Sequence, residues 1–176
     1  MNSLTNFIKC YENILETDVC SQIIKTNIDD FQKAYVHKGQ IDFNTRRCYQ
    51  KPLDLKFEKD IFNSVGKVLQ KYNKEIPYLD TLKNNDTGYT HLLYKEQDKG
   101  EYKEHVDEAH FHQRTISCSF ILNDNYEGGL FSFFQGSHQI KPIKGSAILF
   151  PSNFCFPHAV TPVTEGNRHA IITWIY

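Results

Sequence analysis

His105 and Asp107 stand two apart, and on an extended strand residues two apart project from the same face. A neutral imidazole beside a carboxylate offers two ligands to a divalent metal, but two ligands do not close a site. The best third ligand is His158, which follows the apolar run 146–150 and a bend at Phe156-Pro157 and heads the next extended run. Two imidazoles and one carboxylate, with the remaining positions open, suit a non-haem Fe(II) centre. Arg168, ten residues beyond His158, adds an always-charged planar fork that matches a carboxylate. On a strand antiparallel to that of His158 it would reach into the same cavity and hold the far end of a small dicarboxylate bound at the metal. His-x-Asp alone is a weak signal; the ordered set of His-x-Asp, His and Arg is a strong one.

These residues lie in a longer string: Tyr94, Gly100-x-Tyr102-x-x-His105-x-Asp107, Arg114, Glu127-Gly128-Gly129-x-Phe131, Gly145-Ser146-Ala147-x-x-Phe150, His158-x-Val160-x-Pro162-Val163-Thr164-x-Gly166-x-Arg168, and Trp174. In this order they resemble the 2-oxoglutarate- and Fe(II)-dependent dioxygenases, in the prolyl 4-hydroxylase-like branch, over roughly residue 89 to the C-terminus. The resemblance implies Fe(II) on His105, Asp107 and His158, with 2-oxoglutarate and O2 as co-substrates and ascorbate as a reductant. It implies hydroxylation of an unactivated C–H with release of succinate and CO2. Arg168 would pair with the distal carboxylate of 2-oxoglutarate and Tyr94 would hydrogen-bond it, with Thr161 and Thr173 as further hydroxyls. Substrate contacts are implied at Arg46, Tyr102, Arg114 and Trp174, and a prolyl residue of a protein or peptide is the first substrate reading. A free amino acid or a nucleobase is the alternative substrate. One departure stands out: Ile121 occupies the position where some relatives carry a second tyrosine for the co-substrate, and it can donate no hydrogen bond. Tyr102 is the rival to Tyr94, although strand alternation would turn it away from His105.

Other readings of the three ligands are a structural hydrogen-bond cluster, a Zn or Mn cupin-like site, and a binding module that keeps the fold but turns nothing over. Zinc does no redox chemistry, and neither a cupin nor a retired module has need of Arg168. His110 and His112, also two apart, are expected in a loop, as rival ligands or lining the mouth; His138 and His169 are expected to be structural or exposed.

The frame that must position this set is small. With 176 residues, one domain is expected over 1–176, with a helical support to about residue 88 and a jelly-roll core from about 89. Twenty Lys and Arg balance twenty-one Asp and Glu, so no overall field favours nucleic acid or an anionic membrane. Five scattered cysteines without a Cys-x-x-Cys argue for free thiols in a reducing compartment. The first residues carry no basic head or apolar stretch, and no apolar run approaches the ~18 residues of a membrane span. The expectation is a cytoplasmic protein.

Thr17-Asp18 is read as the cap of a first helix with Val19, Cys20, Ile23, Ile24 and Ile28 on its apolar stripe. Residues 34–50 read as two short strands or a mobile hairpin, and 52–73 as a second helix capped by Asp54 with Ile61, Phe62, Val65, Leu69 and Tyr72 inward. A polar connector follows to Gly88. From residue 89 the period falls to two, and eight short strands are expected at 89–94, 102–107, 114–122, 130–134, 140–143, 146–150, 158–163 and 168–176. The predicted fold is α+β, mainly β: a double-stranded β-helix with two N-terminal helices packed on one sheet.

Overall fold

The computed structural model describes residues 3–26, 28–36, 39–77, 85–108 and 114–176. Among them the chain forms strand β1 (Lys9–Tyr11), helix α1 (Thr17–Ile24), strands β2 (Gln32–Lys33), β3 (Arg46–Arg47) and β4 (Tyr49–Pro52), and helix α2 (Glu58–Glu75). There follow β5 (Thr90–Lys95), β6 (Glu101–His105), β7 (Ile116–Ile121), β8 (Glu127–Gly128), β9 (Phe131–Phe133), β10 (His138–Ile140), β11 (Ala147–Pro151), β12 (His158–Val160), β13 (Val163–Glu165) and β14 (Asn167–Ile175). A seven-stranded sheet runs β1-β11-β7-β14-β5-β4-β2, a five-stranded sheet runs β10-β9-β12-β6-β3, and β8 and β13 form a separate pair. All pairings are antiparallel. The fold is a double-stranded β-helix with two α-helices, as the period-two runs predicted.

The alternation of the large sheet sorts its side chains into two cores. Cys118, Phe120 and Leu122 of the β7 run, with Ala147, Leu149, Ile171 and Ile175, pack under Cys20 and Ile23 of α1 and Ile61, Val65, Val68 and Tyr72 of α2. The other face meets the small sheet: Ile121, Ile148, Phe150 and Ala170 pack on Phe131 and Phe133, and farther along Leu92, Tyr94 and Ile172 pack near Val160 and Val163. Each buried side chain of this size contributes about 1.5–3 kcal/mol, so both sheets are held firmly and the space between them has rigid walls.

Several local expectations shift. Glu16, not Thr17 or Asp18, occupies the N-cap of α1, with no side-chain cap bond, and Asp18 instead lies in the first turn where a carboxylate complements the helix dipole. The helix ends at Ile24, before Ile28. Asp54 does cap, accepting from the backbone N–H of Lys56, but what it caps is a 3-10 turn (Leu55–Phe57) that leads into α2. Phe62 is 64% exposed and Val68 takes its place in the core, because the 3.6-residue period brings 61, 65, 68 and 72 onto one face. Of the two readings of 34–50, two short strands and not a hairpin are found: β3 pairs with β6 in the small sheet while β4 pairs with β5 in the large one, so the chain crosses between sheets at buried Cys48. The expected 158–163 strand divides at Thr161-Pro162 into β12 and β13, and the expected 140–143 strand lies earlier, at β10. His110 and His112 fall outside the described residues. All five cysteines are unpaired, and no described helix is long and apolar enough to cross a membrane.

On the outer face of the large sheet, His91 and His169 hydrogen-bond through Nε2 and Nδ1 at 3.1 Å, with Phe31 edge-on to both. Burial, then the neighbouring His169 and Lys51, push His91 down to about 2; burial, then Lys51 and Arg168, push His169 down to about 4. In the unfolded chain both titrate near 6.5. Their folded values are depressed, so the stability they carry is complete above pH 6.5 and is lost as pH falls toward their folded values. Between those limits each should remove about 1.4 kcal/mol per pH unit from the unfolding free energy. Urea unfolding at pH 7, 6 and 5 checks this: His91→Gln should flatten the slope by about one histidine's share, and an unchanged slope would place the acid sensitivity elsewhere.

Candidate active site

Asp107 does not belong to the strand that carries His105. β6 ends at His105, and Asp107 lies just beyond its end, where it is 8% exposed. Its carboxylate still meets both imidazoles: Oδ1 lies 3.5 Å from His105 Nε2 and Oδ2 lies 3.5 Å from His158 Nε2. Among the described residues these three form the one cluster whose ligand atoms could surround a metal ion, all within 4.8 Å of one another.

The far nitrogens decide what the near ones can do. His105 Nδ1 is 2.9 Å from the carbonyl oxygen of Lys103, and His158 Nδ1 is 3.1 Å from that of Phe156. A carbonyl only accepts, so each Nδ1 must carry the proton, and each neutral ring then turns a bare lone pair on Nε2 toward Asp107. Burial pushes His158 down to about 4, against the pull of Asp107, so at neutral pH it is uncharged. Burial would raise Asp107, but His158, His105 and the Ser117 hydroxyl outweigh it and hold the carboxyl far below its usual range. Two lone pairs and an anion converge at 3.5 Å, beyond ordinary hydrogen-bond distance. That donor set fits Fe(II).

A residue that sequence reasoning missed orients this anion. Ser117 Oγ donates to Asp107 Oδ2 at 2.7 Å and lies 2.9 Å from Ser152 Oγ, all of it buried. The signal was available: Ser117 and Ser119 are polar positions on the inward face of an otherwise apolar strand. Arg114 adds a second brace, donating from Nη1 to the backbone oxygen of Asp107 at 3.1 Å while its guanidinium stacks 3.6 Å from the centre of the Trp174 ring.

The cluster opens on a cavity of about 420 Å³ between the two sheets. Arg168 faces it from the opposite wall. Its strand, β14, pairs with β5 and β7 in the large sheet, not with the strand of His158, so it reaches the cavity across the sandwich and not along one sheet. It is 1% exposed, its guanidinium lies 5.0 Å from the rings of both Tyr94 and Phe131, and its Nε and Nη2 have no hydrogen-bond partner. An unpaired buried charge costs several kcal/mol, on the order of the penalty for any desolvated ion, so this wall is preset for an anion. Gly129 makes room for it: a Cβ there would lie 2.9 Å from Arg168 Cδ and 2.9 Å from the Tyr126 ring, and its φ of +59° suits glycine.

Tyr94 is buried beside Arg168, and its hydroxyl meets the Cys48 thiol. Tyr102 overturns the expectation from alternation. It stacks on His105 with ring centroids 3.5 Å apart and lines the same cavity. The reason is a β-bulge: His158 and Val160 on β12, two apart, face His105 and Tyr102 on β6, three apart. The extra residue breaks the alternation and brings both rings to one side. Arg46, Arg114 and Trp174 also line the cavity. Thr161 and Thr173 do not. Thr161 Oγ1 accepts from the backbone N–H of Leu130, and Thr173, fully buried, shares the helix-side face of β14 with Ile171 and Ile175. Ile121 packs among Phe131, Phe133 and Phe150 in the closed end of the sandwich.

A family model described as the 2OG-Fe(II) oxygenase superfamily matches residues 89–176, the half of the chain that carries all four site residues. The chain belongs to this superfamily. Membership brings Fe(II), 2-oxoglutarate and O2 as the reagents of the family, and the residues described fit the first two. The chain is similar to a PKHD-type hydroxylase of Psychrobacter sp. (strain PRwf-1), 37% identical over 75 residues, which are 40% of this chain and 28% of that one. It is similar to a PKHD-type hydroxylase of Alteromonas mediterranea, 48% identical over 54 residues, 30% of this chain and 23% of that one. The matched segments thus span about a quarter of these relatives. Among solved structures, the fold matches a Trichoplax adhaerens prolyl hydroxylase in complex with a hypoxia inducible factor peptide fragment at a TM-score of 0.77, with 18% identity over 98% of this chain and 84% of that one. A viral collagen prolyl hydroxylase from Paramecium Bursaria Chlorella virus-1 matches at 0.74, with 22% identity over 96% and 95%. At such identities the likeness shows the double-stranded β-helix.

Proposed function

We propose that this protein is an Fe(II)- and 2-oxoglutarate-dependent dioxygenase that hydroxylates an unactivated C–H of a prolyl residue in a protein or peptide, releasing succinate and CO2. His105, Asp107 and His158 would hold the metal, and Arg168 would hold the distal carboxylate of 2-oxoglutarate. The observation that carries this reading is the pairing of two lone pairs and a carboxylate on one wall with an unpartnered buried guanidinium on the other. When bound, Fe(II) supplies the redox chemistry that couples decarboxylation of 2-oxoglutarate to oxygen transfer, with ascorbate as the reductant that restores it.

The chain's own part is positioning. The Lys103 and Phe156 carbonyls fix which imidazole nitrogens face the metal, Ser117 and Arg114 aim Asp107, and Arg168 sets the distance of the co-substrate. Tyr102, Arg114 and Trp174 form an aromatic and cationic approach to that centre, suited to a flat apolar ring flanked by peptide oxygens. Nothing in the composition calls for a membrane or a nucleic-acid partner, and a cytoplasmic setting agrees with the free thiols. An anaerobic titration of the Fe(II)-loaded protein with 2-oxoglutarate, followed by visible absorption, tests the reading. A charge-transfer band that needs both components and is lost in His158→Ala is the expected result; no band, with Zn or Mn retained instead, would overturn it.

A further inference from the structure

The wall of the cavity carries more positive charge than the iron and its co-substrate use. Among the described residues, three guanidinium groups line it (Arg46, Arg114 and Arg168) against one buried carboxylate, Asp107; the other lining carboxylate, Glu108, is exposed. Among the described residues none of the three arginines makes an ion pair, whereas Arg47, next to Arg46, pairs with Glu101 at 2.7 Å. Fe(II) brings two positive charges and 2-oxoglutarate two negative ones, so their joint arrival leaves the surplus unchanged. Arg168 is then committed to the co-substrate, and Arg46 and Arg114 remain.

These two act on one spot. The Arg46 guanidinium lies 4.6 Å from the centre of the Tyr102 ring, which stacks on His105, and its Nη1 donates to the Tyr35 backbone oxygen at 2.6 Å. Arg114 lies on Trp174 and braces Asp107. Each has a buried Nε–H with no acceptor, and the Trp174 Nε1–H is buried and unpartnered as well. Arg114 feels burial first, then the pull of Asp107, and last the repulsion of Arg46, and both guanidinia line the one cavity. Like charges that share a half-buried space, with three unused donors around it, are offset best by a single anion.

We infer that the substrate presents a carboxylate next to the carbon that is hydroxylated, and that Arg46 and Arg114 clamp it at the cavity mouth. This rests on the dioxygenase reading and narrows its substrate. A carboxylate matches the planar fork of each arginine, and the Trp174 N–H can donate to it too. Three sources share this chemistry: the α-carboxylate of a free amino acid, the C-terminus of a peptide, and an acidic side chain beside the target residue.

Calorimetric titration of the oxygen-free protein loaded with Fe(II) and 2-oxoglutarate tests this with matched acid and amide probes. The pairs are L-proline and L-prolinamide, N-acetyl-alanyl-proline and its amide, and N-acetyl-aspartyl-prolyl-alaninamide and its asparaginyl counterpart. In at least one pair the acid should bind tenfold or more tightly than the amide, and the pair identifies the source. In Arg46→Gln and in Arg114→Gln that preference should fall to less than threefold, while Arg46→Gln keeps the wild-type response to 2-oxoglutarate. Equal binding of acid and amide in every pair, or binding of no probe, overturns the inference without recourse to any variant. If Arg46→Gln instead weakens 2-oxoglutarate tenfold and leaves the acid preference intact, the residue belongs to the co-substrate and the clamp is refuted. Failure of the dioxygenase reading is distinct: it removes the iron and 2-oxoglutarate band before any probe is added.

Discussion

Asp107→Ala is expected to abolish iron-dependent turnover and to leave the fold standing. The carboxylate would supply one of three metal donors, and among the described residues no neighbouring side chain can replace it: Ser117 and Ser152 are hydroxyls already bonded to each other, and Glu108 is exposed. The apo protein loses the hydrogen bond from Ser117 and a carboxylate that the fold holds below its usual range, but both hydrophobic cores are untouched, so it still folds. Melting with and without metal separates these effects. Fe(II) at a hundred times its dissociation constant should stabilise the wild type by about 2.7 kcal/mol, and it should leave Asp107→Ala unmoved. His105→Ala should behave in the same way, with an added loss of the stacked partner of Tyr102. Iron-dependent turnover by the double variant would sink the metal assignment.

Arg168→Ala should act on the other reagent. The variant loses a charge-assisted pair in a closed site, an effect of about 1.5–3 kcal/mol, so 2-oxoglutarate should bind roughly ten- to a hundredfold more weakly. Iron affinity should change far less, since the guanidinium makes no bond to any of the three ligands. Arg168→Lys should recover part of the loss as a point charge without the fork. Gly129→Ala should move in the direction of Arg168→Ala, because the added carbon would push on the arginine's own Cδ. A titration that returns the wild-type affinity for Arg168→Ala would show that the clamp lies elsewhere.

Residue types and spacing singled out His105, Asp107, His158 and Arg168, and the fold brings the first three together in a cavity that Arg168 also lines. The sandwich was legible as well: period-two runs between turn signals leave few architectures open. What escaped was whatever depends on counting along a particular strand. Asp107 was expected on the strand of His105 and lies past its end. Tyr102 was expected to face away and stacks on His105, because a bulge cannot be seen in a single sequence. Thr173 and Thr161 were chosen for their hydroxyls, but the parity of β14 and the pairing of Leu130 N–H take them out of the cavity. Arg168 reaches its place across two sheets, a distance no spacing rule encodes. Ser117 was passed over because a serine inside an apolar strand reads as filler until the anion it serves is seen.

The bulge in β6 has a consequence for how this site can change over time. Lys103 and Glu104, the two residues between Tyr102 and His105, are both exposed. Their side chains are therefore open to replacement. Deleting either one would set Tyr102 and His105 two apart, where regular alternation alone turns both rings to one face. The bulge is thus the device that reconciles an odd spacing with a shared face. A lineage of such proteins can reach the same stacked pair in two ways, with two intervening residues and a bulge or with one and none.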